Sequence, residues 1–133
     1  ARRLNGMDDF IETDGTLVSR VRSIADRDGR YVAEAYLFVL DAVESTLAEI
    51  MERRHVSGQE LCEGIRRLAV SRFGPMAKEV FNFWGIRSTA DFGVIVFILV
   101  DAELLLKTEE DRVEDFLGVY DFDEAFERDY FRS

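Results

Sequence analysis

The run that most restricts this chain is DFGVIVFILVD at residues 91–101, because residues 93–100 offer no polar side chain to water. A run of this kind has to be buried, as a core strand, a core helix or part of a membrane span. Its eight apolar residues fall well short of the roughly twenty that a helix needs to cross a bilayer. Ser88 and Asp91 form a cap-and-acid pair three residues apart, which starts a helix just before the run and carries it to about Glu103. The β-branched Val94, Ile95, Val96, Ile98 and Val100 pull toward a strand, but propensity yields to burial. The reading is a buried helix. The leading Asp-Phe-Gly matches a kinase metal motif, yet nothing upstream supplies the glycine-rich loop, strand lysine and catalytic loop of phosphoryl transfer. Asp91 is therefore read as a helix-start residue and Phe92 as core.

The remaining segments extend the helical pattern. Leu17, Val18, Val21, Ile24 and Ala25 recur at helical spacing, with Gly29 as a stop. Residues 31–54 hold one apolar face through Tyr36, Val39, Leu40, Val43, Leu47 and Ile50, and form the spine of the domain. In HVSGQEL, Ser57 and Glu60 make a capping box, with Val56 and Leu61 as a hydrophobic staple. Gly74 and Pro75 break that helix, and MAKEVFNFW restarts one that Gly85 ends. Residues 104–108 and 112–116 read as a small β-hairpin, with another capped helix from Thr108 as the alternative. The expected fold is mainly α: a flexible segment at 1–14, then a single helical domain at 15–133 with five to six helices and a hairpin near 104–116. That order resembles a winged helix.

Chemistry is sparsely signalled. His55 and Cys62 are the only residues of their kinds, so a zinc site lacks ligands and no intrachain disulfide can form. The capping box at Ser57 separates the pair, which removes a Cys-His dyad as well. Carboxylates at Glu109, Glu110, Asp111, Glu114, Asp115, Asp121, Asp123 and Glu124 do not follow the alternating ligand order and bend glycine of a calcium loop. No catalytic residue, metal or cofactor is expected. Of the net charge of −10, residues 101–133 carry −8, a field that repels phosphate backbones and anionic membranes and suits a partner with a basic surface. A lone cysteine and an amino end without a signal-like segment point to a reducing cytoplasm.

AYLFVL (35–40), HVSGQEL (55–61), FGPMAK (73–78), WGI (84–86), DFGVIVFILV (91–100), KTEED (107–111) and YDFDEAF (120–126) together resemble a small uncharacterised protein family found largely in Planctomycetes and Verrucomicrobia. The likeness covers roughly residues 31–127. It implies no assigned activity, so it carries over no catalytic residue and no cofactor.

The expected role is a non-enzymatic cytoplasmic interaction module or complex subunit. Its anchor candidates are Tyr120, Phe122, Phe126 and Tyr130, since aromatics dominate interface hot spots; their competing role is internal core. The alternative is a winged-helix-like nucleic-acid binder using Arg66, Arg67 and Arg72, with the acidic wing arguing against it. An enzyme of unknown class is third. A homodimer through the 31–54 spine is a further option.

Overall fold

Ser57 closes the box its sequence writes: its Oγ accepts from the Glu60 N–H at 3.1 Å, and the Glu60 carboxylate accepts from the Ser57 N–H at 3.0 Å. The same logic opens the apolar run, where Asp91 accepts from the backbone N–H groups of Arg87 at 2.8 Å and Ser88 at 3.3 Å. The computed structural model describes residues 7–50, 56–105 and 112–128. Five α-helices cross them: α1 (Met7–Asp28), α2 (Ala33–Ile50), α3 (Gly58–Phe73), α4 (Ala77–Trp84) and α5 (Thr89–Asp101). Among the described residues there is no strand, and the chain is an all-α single domain. No single helix there is long and apolar enough to cross a membrane.

The breaks fall where glycine permits them. Gly29, at φ 81°, ends α1 with its N–H on the Ala25 carbonyl at 2.9 Å. Gly74, Pro75 and Met76 make one 3₁₀ turn between α3 and α4. The last turn of α5 closes differently, with Glu103 in the left-handed region at φ 64°. Two backbone bonds seal that end, from the Leu104 N–H to the Leu99 carbonyl and from the Glu103 N–H to the Val100 carbonyl, both 2.9 Å.

Helix α2 lies at the centre and packs most extensively on α3. The two backbones come close at Gly64, where a β-carbon would sit 1.9 Å from the Thr46 hydroxyl. Helix α5 buries Phe92, Ile95 and Leu99 completely, while Val94, Val96, Phe97, Ile98 and Val100 stay half-buried. The apolar run is thus a helix, as its cap requires, but with one face rather than its whole circumference in the core.

The hairpin does not form in the part that is described. Residues Val113–Phe116, its second arm, wind into a 3₁₀ turn instead; residues 106–111, with most of the first arm, lie outside the described residues. The cause is tertiary. Phe116 drops between two helices at positions without side chains, and a β-carbon at Gly93 would lie 2.8 Å from its ring while one at Gly58 would lie 3.2 Å from it. The buried Thr89 hydroxyl donates to the Phe116 carbonyl at 2.7 Å and accepts from the Val119 N–H at 3.1 Å. The Phe116 carbonyl, which a strand pair could use, is therefore committed to α5.

Beyond this latch the chain crosses the bundle end. The Tyr120 hydroxyl donates to the Cys62 carbonyl at 2.7 Å, and Lys78 pairs with Asp123 at 2.5 Å. Residues Asp123–Arg128 form a π-helical turn that seats Phe122 and Phe126 beside Phe81.

Candidate functional site

The aromatic residues expected at a partner surface lie together, but inside. Phe122 and Phe126 are 5.3 Å apart between ring centroids, and Tyr120 is 5.9 Å from Phe126. Phe126 is fully buried and Phe122 nearly so, while Tyr120 is half-buried. Burial holds the Tyr120 phenol far above its ordinary range. In this conformation the three rings close the core. Tyr130 lies outside the described residues, as does His55.

The arginines of α3 are likewise engaged. Arg67 binds Glu49 of α2 at 2.6 Å and Arg72 binds Asp41 of α2 at 3.1 Å, while Arg66 lies 3.8 Å from Glu63. Arg72 also sits 5.8 Å over the Phe38 ring. The patch knits α3 to α2 through pairs each worth little on its own at the surface.

Cys62 is buried, and its thiol is pushed up to about 12, first by desolvation and then by the nearby Glu63. The same burial takes the Tyr36 phenol to about 12, with Asp28 adding to the effect, and its hydroxyl has no hydrogen-bond partner among the described residues. Both groups stay protonated in the fold at pH values where the unfolded chain releases the proton. Stability is then fully present below about pH 9 and falls as pH rises through the unfolded values toward 12. Urea titrations at about pH 8 and pH 11 are expected to show a lower unfolding free energy at the higher pH, with Tyr36→Phe reducing the difference.

The feature that no local pattern announces is a cleft of about 520 Å³ where the α1–α2 connection meets the end of α4. Arg22 and Asp26 of α1 form one wall; Asn82, Phe83 and Trp84 of α4, with Arg87 just beyond, form the other. Gly85 makes the close approach possible. At φ 95° it has its α-carbon so near the neighbouring loop that a β-carbon would lie 2.3 Å from the Arg30 carbonyl oxygen. The Val32 N–H donates to the Trp84 carbonyl at 3.3 Å, and the Tyr31 hydroxyl donates to Asp91, the residue that caps α5. Loop and helix start are thus held together.

Three arginines and one aspartate line this cleft in a chain of net charge −10, so its sign is opposite to that of the whole. Arg30 is already satisfied: its Nε and Nη2 reach the two oxygens of Asp28 at 2.8 and 2.9 Å, and this pairing draws the Asp28 carboxyl below its usual range. Arg22 and Arg87 make no side-chain ion pair among the described residues. At the rim Phe83 is 82% exposed, whereas Trp84 beside it packs on Phe38, Phe73 and Phe81. Phe83 stands two residues from Phe81, on the far side of α4, and that off-stripe position is the one trace of the site in the sequence.

No group of three or more His, Cys, Asp or Glu among the described residues could hold a metal ion. In comparisons with known proteins, no family model, no curated protein and no solved structure matches this chain.

Proposed function

We propose that this domain is a non-enzymatic protein-interaction module that docks its partner through the outer edge of α4. The observation that carries this reading is Phe83, at 82% exposure in a protein whose other described Phe side chains turn inward or lie half-buried. Met76, 56% exposed, stands seven residues earlier, at the end of the 3₁₀ turn that leads into α4. Phe and Met are among the residue types enriched at interfaces relative to the rest of a protein surface. The acidic stretch after residue 100 keeps much of the surface negative, which sorts partners by charge. A cytoplasmic setting and kinship with the family that the seven motifs resemble belong to the same proposal, and neither adds a residue role.

The nucleic-acid alternative on Arg66, Arg67 and Arg72 has less behind it, because those guanidiniums already face carboxylates. A winged-helix arrangement also draws no support from the 3₁₀ turn at Val113–Phe116.

The test is a photo-crosslinking phenylalanine analogue at position 83, with the same analogue at position 113 as a control, in nuclease-treated cell extract. A discrete protein adduct from position 83 alone is expected. Phe83→Ala should weaken binding of that protein by about tenfold or more, the loss of a hot-spot side chain. Its own stability should move by no more than about 0.5 kcal/mol, as at an ordinary surface site. Unchanged affinity in Phe83→Ala would remove α4 as the docking edge.

A further inference from the structure

We infer that the cleft beside Phe83 is a carboxylate-reading subsite, and that the partner segment entering it is an acidic peptide with an apolar side chain next to its acid. The inference rests on the interaction-module reading and adds the partner's chemistry. Arg30 cannot do the reading, because Asp28 occupies its fork on two nitrogens. Arg22, on α1, and Arg87, in the α4–α5 connection, line the same cleft, and neither makes a side-chain ion pair among the described residues. A guanidinium fork matches the two oxygens of a carboxylate and binds them in parallel.

Charge narrows the ligand further. Of the net charge of −10, −8 falls after residue 100, and a cleft where Arg22 and Arg87 outnumber Asp26, with Arg30 neutralised by Asp28, is where an acidic segment is steered. Asp26 in the same wall limits the site to isolated negative charges. A phosphate backbone, with a charge at every unit, would set one phosphate against Asp26 and others against the acidic surface. A peptide separates its charges and offers apolar groups between them, which suits Phe83 and the edge of Trp84 beside the arginines. The cleft is wide and open to solvent, with a projecting ring at its rim. That shape fits a passing chain better than a small molecule, which pockets typically enclose over most of its surface.

Trp84 is the only tryptophan in the chain and lines the cleft, so its fluorescence reports occupancy without a label. The probe is the peptide acetyl-Ala-Glu-Leu-Glu-Leu-Glu-Ala-amide, titrated against its counterpart with every Glu replaced by Gln. A saturable change with the Glu peptide is expected, weakened by added salt and absent or at least about tenfold weaker with the Gln peptide. Arg22→Gln and Arg87→Gln should each lower affinity for the Glu peptide about fivefold to tenfold. Neither residue makes a side-chain ion pair among the described residues, so both variants should fold as the parent does.

Equal binding of the Glu and Gln peptides overturns the inference, and so does no saturable change at millimolar Glu peptide. Tighter binding of a single-stranded oligonucleotide than of the Glu peptide overturns it in favour of phosphate. The two readings fail separately: a partner captured at position 83 without acidic-peptide binding keeps the module and removes the carboxylate site. Acidic-peptide binding without an adduct at position 83 does the reverse.

Discussion

Phe81→Ala is expected to lower the unfolding free energy by about 3–5 kcal/mol, the range for truncating a fully buried Phe. The site justifies the upper part of that range. The Phe81 ring is fully buried on the short helix α4, with centroids of Phe126, Phe92, Phe122 and Phe38 at 5.4, 5.5, 5.6 and 5.7 Å. Trp84 and Phe73 complete the shell at 6.0 and 6.5 Å. Removing the ring takes away edge-to-face contacts as well as apolar area, and the neighbours are held by five different segments that cannot all close the cavity. Domains of this size are typically stable by only about 5–15 kcal/mol, so the variant should melt far earlier or fail to accumulate. Guanidinium titration followed by far-UV circular dichroism measures the loss, with Phe83→Ala, two residues along on the opposite face, as the control within about 0.5 kcal/mol. A cost below about 1 kcal/mol at Phe81 would mean that the C-terminal aromatics do not dock on α4 as described.

That contrast between neighbouring phenylalanines shows how far sequence reading reaches. Helices α3 and α5 were legible because their starts are written locally, in Ser57 with Glu60 and Ser88 with Asp91, and a cap outweighs the β-branched content of residues 94–100. The ends at Gly29 and Gly85 were legible for the same reason, since positive φ is a property of one residue. The segment 113–116 was not. Its conformation is imposed by Gly58, Gly93 and Thr89, which lie on other helices and advertise nothing about Phe116. Residues 104–108 and 112–116 flanking the acidic Glu109, Glu110 and Asp111 read locally as a hairpin, and a tertiary latch overrides it at 113–116. The cleft was hidden for a related reason: Arg22, Arg30 and Arg87 belong to three separate segments, and only the packing of α1 on α2 and the close approach of the 29–32 loop to the end of α4 bring them to one opening. The arginines that are neighbours in sequence, Arg66, Arg67 and Arg72, face carboxylates of α3 and α2 instead.

Gly85→Ala should cost about 2–4 kcal/mol and disable the cleft in the same stroke, whereas Gly29→Ala should cost only about 1 kcal/mol. Both glycines have positive φ, 95° and 81°, so each alanine pays the strain of the left-handed region. Their surroundings differ. A β-carbon at Gly29 meets nothing within 4 Å, while one at Gly85 would lie 2.3 Å from the Arg30 carbonyl oxygen. That oxygen belongs to the backbone, so relief requires moving the whole 29–32 loop rather than turning a side chain. The loop carries Arg30 and Tyr31, and through the Tyr31 hydroxyl it is tied to Asp91 at the start of α5. Pushing it outward would loosen the Val32 to Trp84 backbone bond and spread the arginine-lined walls. The expected signature is a large stability loss with altered Trp84 emission in Gly85→Ala, and a small loss with native emission in Gly29→Ala. The difference between the two free energies isolates the close backbone approach from the conformational strain they share. If the two variants lost equal stability, Gly85 would be in place for its φ alone, and the cleft would not depend on the contact between its neighbours' backbones.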